Sequence, residues 1–145
     1  MKLSTKGIYA VRLMLHLAER GSGDPISLKD ISQAQHISKK YLEQIVPNLV
    51  SAHLLRAQRG SLGGYLLAKR ADKITVYDVL VATEGSLSPL PCVGGDSLDC
   101  TMPTPCLEAN MWKGLERVMR EYLEGITLQQ IIDRESAIAA DSYSI

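Results

Sequence analysis

Cys92, Cys100 and Cys106 are the only three thiols of this 145-residue chain, and they fall within 15 residues of one another. The run that holds them, Pro91 to Cys106, is rich in glycine, proline and aspartate. Structural cysteines are usually scattered through a core as small apolar residues. Thiols gathered on one loop instead suit convergent thiolates that hold a soft metal or an iron–sulfur centre. Two other chemistries stay open on the residues alone. One is a thiol switch, in which exposed cysteines oxidise reversibly to a disulfide. The other is zinc, but a closed structural zinc site needs four ligands. The chain has three cysteines, and His16, His36 and His53 all lie in its N-terminal half as ordinary helix residues. The odd thiol count argues against a closed disulfide framework.

The elements that must position such a loop begin with composition. A hydrophobic fraction of 46% and a charged fraction of 22% are those of a globular chain. The length allows one domain with a modest core. No apolar run nears the length of a membrane span. Met1 to Gly7 lacks the apolar stretch and cleavage pattern of a signal peptide. The expectation is a cytoplasmic protein with no membrane association. Net charge is zero, but residues 1–70 hold 11 Lys+Arg against 4 Asp+Glu, and residues 71–145 hold 5 against 12. A basic half beside an acidic half points to a polyanionic partner for the first half alone.

Along the chain, Ile8, Val11, Leu13, Met14, Leu15 and Leu17 space out a helix with a broad apolar face. Gly21, Gly23 and Pro25 end it. Ser27 caps a short helix, with Asp30 three residues on, and Gln35-His36-Ile37 makes a turn. Ser38 then caps a further helix, in which Pro47 predicts a kink or restart. Leu55–Gln58 and Tyr65–Ala68 read as short strands around the glycine-rich turn Arg59 to Gly64. Residues 74–84 predict another helix, capped by Thr75 with Asp78. After the cysteine run, Leu107, Met111, Leu115, Val118, Met119 and Tyr122 give one narrow seam on a helix reaching Glu124. Gly125 ends that helix, Thr127 caps a short helix from Leu128 to Arg134, and Ala137 to Ile145 reads as a loose tail. There is no internal repeat.

Helix, short helix, turn, second helix and glycine-tipped hairpin is the order of a winged helix-turn-helix. The second helix of such a unit enters the major groove of double-stranded DNA with its N-terminal residues toward base edges. Those residues are Ser38, Lys39, Lys40, Tyr41 and Gln44. Hydroxyls and amines there reach phosphates, and Gln44 can pair bidentately with adenine. Leu42, Ile45 and Val46 face the core. Arg59 at the hairpin tip suits a narrow minor groove, and Gly60 lets the backbone turn beside the duplex. Glu43 repels phosphate, so it either selects sites, through a cytosine amine or by penalising wrong ones, or is a solvated surface residue.

Lys2-Leu3-Ser4-Thr5-Lys6-Gly7-Ile8-Tyr9-Ala10-Val11, Tyr41-Leu42-Glu43-Gln44, and Arg59-Gly60 followed by Gly63-Gly64-Tyr65-Leu66-Leu67 carry a resemblance. With the cysteine loop, Leu107 and Trp112, they resemble the iron–sulfur cluster regulator (IscR) family of winged helix-turn-helix transcription factors, over about residues 1 to 135. The resemblance implies a mainly α fold with a winged helix-turn-helix DNA-binding domain and a long C-terminal dimerisation helix. It implies a homodimer at palindrome-like promoter sites and a [2Fe–2S] cluster on Cys92, Cys100 and Cys106. It places DNA contacts at Ser38, Lys40, Tyr41, Gln44 and Arg59, and site choice at Glu43. Two features depart from the family pattern. The cysteine gaps are seven and five residues where relatives commonly have five and five. Ala109 stands where the best-known members place a histidine as fourth ligand. Ile8 and Tyr9 occupy positions that supply an acid in other branches. Glu108, Asn110, Asp96, Asp99 or a residue of a second subunit remain as candidates for the fourth ligand.

The expected organisation is a DNA-binding domain over 1–84, a cysteine-bearing loop over 85–106, and a dimerisation helix with tail over 107–145. The seam helix is too apolar for so small a protein to bury alone, so pairing with a two-fold mate would cover it and set two heads on two half-sites. The expected function is a regulator, not an enzyme, sensing cluster status and controlling iron–sulfur biogenesis genes, with cluster-assembly proteins as further partners. The alternatives are a thiol-redox, nitric-oxide or iron-responsive repressor of the same fold, or a regulator of cysteine metabolism. From other classes come a metalloenzyme or redox enzyme and an adaptor whose acidic half docks an enzyme. No Ser/His/Asp grouping, phosphate loop or paired carboxylate motif supports a catalytic pocket.

Overall fold

A computed structural model describes residues 3–21, 23–90 and 106–143. The order is α1 (Thr5–Arg20), α2 (Leu28–Gln35), α3 (Lys39–Ser51), β1 (Leu55–Gln58), β2 (Gly64–Leu67), a 3-10 turn (Ala71–Lys73), α4 (Val76–Glu84), α5 (Ala109–Glu124) and α6 (Leu128–Tyr143). Apart from α5, which follows Glu108, helix starts fall where hydroxyl side chains cap them. Ser4, Ser27, Ser38 and Thr75 each accept the amide three residues on. Thr75 and Asp78 close a reciprocal capping box. Thr127 and Gln130 do the same at the entry to α6.

Helices α1 to α4 pack around one core: Leu13, Met14 and Leu17 from α1, Ile31 from α2, Leu42, Ile45, Val46 and Leu49 from α3, and Val79 from α4. Leu128 at the start of α6 is fully buried in the same cluster. Thr75 and Thr127 bridge backbone to backbone, with the Val76 amide on the Ile126 carbonyl at 2.9 Å and the Leu128 amide on the Ile74 carbonyl at 3.0 Å. The entries of α4 and α6 are thereby stitched together.

β1 and β2 form an antiparallel hairpin in the register Leu55↔Leu67 to Gln58↔Gly64. Its base is anchored by a bridge from Tyr65 to Ile26, ahead of α2. Gly64 permits that anchor, because a Cβ there would overlap the Ile26 backbone. The hairpin thus hangs from the helix-turn-helix as a wing.

Four details differ from the sequence-based expectations. Pro47 lies inside α3 without interrupting it. Packing of Ile45, Val46 and Leu49 in the core holds the turn across the missing amide. α5 begins at Ala109, leaving Leu107 outside the helix and 98% exposed. The expected single seam on α5 is divided: Met119 turns with Leu123 toward Tyr77 of α4, while Met111, Leu115, Val118 and Tyr122 face outward. Finally, the expected tail is helix, since α6 continues to Tyr143. No glycine or proline follows Gly125, and Ala137, Ala139 and Ala140 are strong helix formers. Among the described residues no helix is long and apolar enough to cross a membrane.

Candidate nucleic-acid interface

Three contacts define the helix-turn-helix joint. His36 ends α2 in the left-handed conformation, with φ of 54°. Ile37 then plugs the core, its carbonyl taking the Ser32 hydroxyl at 2.5 Å. Ser38 opens α3, its hydroxyl accepting from the Tyr41 amide at 3.1 Å. This local grammar aims the first turn of α3 outward. Lys39, Lys40, Glu43 and Gln44 are exposed on it, while Leu42, Ile45 and Val46 are buried, as their spacing predicted. Arg59 and Gly60 are exposed at the wing tip, where Gly60 has φ of 122°, a conformation that favours glycine. Ser38 is exposed and occupied as a cap.

Tyr41 is different. It is half buried, and its ring meets Tyr9 of α1 edge-on, with centroids 5.3 Å apart and planes at 79°. Arg12 lies over the Tyr9 ring, 5.7 Å from its centre, and donates to the Gln35 carbonyl at 2.8 Å. Tyr9 and Arg12 therefore join α1 to both ends of the turn. Sequence reasoning missed this role, because nothing in the spacing links position 9 to position 41.

His16, expected as an ordinary helix residue, is buried, with Nδ1 3.1 Å from the Gln35 amide nitrogen and Nε2 without a hydrogen-bond partner among the described residues. Burial first, then the nearby Arg20 charge, hold its imidazole below the usual range, against the opposing pull of Glu19. A neutral ring is the form this site accommodates. Arg120 of α5 lies 5.2 Å from the Tyr77 ring and 3.3 Å from a Glu124 carboxylate oxygen, pinning α5 against α4.

Of the predicted metal ligands, Cys92 and Cys100 lie outside the described residues, as do Asp96 and Asp99. Cys106 is half buried, and its carbonyl accepts the Ala109 amide at 3.3 Å as α5 begins. Glu108 and Asn110 are exposed beside it. Among the described residues no group of three metal-ligating side chains converges. By chemistry the donor set fits a thiolate-held centre: three sulfurs on one short segment, with Cys106 placed at the entry to the long helix.

Comparison with known proteins agrees with this architecture. The IscR regulator of Aliivibrio salmonicida is 38% identical over 146 residues, spanning 100% of this chain and 86% of its own. Among solved structures, CymR, the global cysteine regulator of B. subtilis, superposes with a TM-score of 0.78 at 32% identity, covering 92% of this chain and 98% of that one. IscR of T. potens superposes at 0.74 with 30% identity, covering 93% and 88%. These relatives are transcription regulators, which accords with the regulator reading over the enzyme one. The Rrf2 pattern, described as an iron-dependent transcriptional regulator, matches residues 3–134. With a mainly helical winged fold and full-length kinship to IscR, the chain belongs to the Rrf2 family of transcriptional regulators.

Proposed function

We propose that this regulator is a homodimer that grips double-stranded promoter DNA with α3 and the wing, and that a [2Fe–2S] cluster on Cys92, Cys100 and Cys106 decides which promoters it holds, iron–sulfur biogenesis genes among them. One observation carries the DNA half: Lys39, Lys40, Glu43 and Gln44 project from a capped helix start whose other face is core, with Arg59 at the tip of the adjoining wing. Lys39, Lys40 and Arg59 bring charge to phosphates, with Ser38 and Tyr41 hydroxyls beside them. Gln44 reads a base edge and Glu43 biases site choice. Gly60 lets the wing approach the backbone closely.

Pairing is supported by the outward stripe of α5, where Met111, Val118 and Tyr122 are 58%, 58% and 67% exposed. An apolar stripe of that extent on a small protein favours burial against a two-fold mate. Cys106 supports the sensing half, since it sits where the cysteine segment enters that same helix. Bound there, the cluster would supply a redox-sensitive and labile anchor for the loop. The fourth ligand is left open by Ala109.

A second reading has its own support. The structural likeness to a regulator named for cysteine favours a thiol-based regulator of cysteine metabolism on the same fold. Anaerobic purification separates the two. Red-brown protein with visible absorbance that Cys92→Ala bleaches, and a promoter preference that changes with it, supports the cluster reading. Colourless protein that still shifts duplex DNA supports the thiol reading. Colourless protein indifferent to duplex DNA at low salt removes both.

A further inference from the structure

The last residue of α4 reaches across to the first turn of α1. Oε1 of Glu84 accepts from the Ser4 backbone amide at 2.9 Å and from the Ser4 hydroxyl at 2.6 Å. Ser4 is itself the cap of α1, its hydroxyl oxygen taking the Gly7 amide at 3.3 Å. The carboxylate thus rests on the positive end of a 16-residue helix, where an anion is favoured. Gly7 makes room for it. A Cβ at that position would overlap Oε1 and stand 3.2 Å from Cδ and 3.3 Å from Cγ of Glu84. Glycine inside a helix costs about 1 kcal/mol relative to alanine. Gly7 is buried in a regular helix, so its use here answers a need for space.

Two residues further along α1 comes Tyr9, about 3 Å along the helix axis at the usual rise. Its ring holds Tyr41 in the first turn of α3. One turn on, Arg12 takes the Gln35 carbonyl at the end of α2. A single rigid helix therefore carries the Glu84 contact and the recognition-helix contact within one and a half turns. Glu84 also stands eight residues ahead of Cys92 in the chain.

We propose that Glu84 is a positioning residue for DNA reading: seated on Ser4 in the space left by Gly7, it sets the pose of α1 and, through Tyr9, the pose of Tyr41 and the start of α3. This rests on the reading of α3 as the DNA-facing helix. It makes the end of α4 the point at which the thiol-bearing segment joins the head.

The test is fluorescence anisotropy of the full chain on a labelled duplex selected from a random pool by the wild-type protein, at a temperature where every variant is folded. Glu84→Ala and Gly7→Ala are expected to weaken binding roughly five- to tenfold, within the range of coupling through packed contacts. Glu84→Gln keeps an oxygen that accepts from Ser4, so its affinity stays near wild type. Tyr9→Leu weakens binding comparably. The Glu84→Ala, Tyr9→Leu double variant is no weaker than the worse single one, as expected for two steps of one path. Wild-type affinity in both Glu84→Ala and Gly7→Ala overturns the proposal, and so do effects that multiply in the double variant. Lys40→Ala separates the failures. If it loses affinity while Glu84→Ala does not, the positioning role alone falls. If it too binds like wild type, the assignment of α3 falls with it.

Discussion

If α3 and the wing tip meet phosphates, removing their cations must change how binding responds to salt. Lys39, Lys40 and Arg59 are exposed on each head, six cations in a dimer. At about 0.9 counterions released per phosphate contact, the slope of log affinity against log salt should be roughly −5. Between about 50 and 200 mM salt that slope predicts an affinity loss of about a thousandfold. The Lys39→Ala, Lys40→Ala double variant deletes four of the six cations. Its slope should shrink to roughly −2, with about a tenfold loss over the same range. Both side chains are exposed, so the fold should stand. The assay is anisotropy of one labelled duplex titrated at four or five salt concentrations, with circular dichroism to confirm the helices. Weaker binding with an undiminished slope would mean that the lysines act through structure and that other cations neutralise the phosphates. An unchanged slope and unchanged affinity would remove α3 from the interface.

Three further outcomes follow from particular contacts. His16 is held below its ordinary pKa of 6.5, so the unfolded chain takes up a proton that the folded chain resists. Stability should be level well above 6.5 and fall as pH drops through it, by urea melts at several pH values, and His16→Leu should flatten that fall. Gly64→Ala places a Cβ against the Ile26 backbone and should cost roughly 1–3 kcal/mol in denaturant unfolding, loosening the wing before the helices. Val118→Glu on the outward stripe of α5 should convert the proposed dimer to folded monomer, read by light scattering with chromatography, whereas Met119→Leu, on the face turned to α4, should leave the assembly unchanged.

Much of this molecule was legible from local chemistry. Ser38 before Lys39, and Leu42, Ile45 and Val46 at helical spacing, announced the start and the buried face of α3. Thr75 with Asp78 announced α4, and the glycines after Arg59 announced the wing. Each such signal acts between residues a few positions apart, through a cap, a periodic face or a permitted backbone angle, so the linear order contains it. The family resemblance rested on Lys2 to Val11, Tyr41 to Gln44, the run from Arg59 to Leu67 and the cysteine loop with Leu107 and Trp112, and kinship to IscR along the whole chain bears it out.

Tertiary structure decided what linear order cannot express. Glu84 meets Ser4 across 80 positions, Tyr9 meets Tyr41, and His16 loses its water to the α1–α2 joint. Spacing marked one apolar seam along α5, but packing on Tyr77 divided it into an inner face with Met119 and an outer one with Val118. Helix α6 outran its expected end because nothing in it breaks a helix and its first residue, Leu128, is locked in the core. Side-chain contacts between distant segments leave no period in a sequence. They exist only once burial has brought the segments together, and in this protein they set the pose of the helix start proposed to meet DNA.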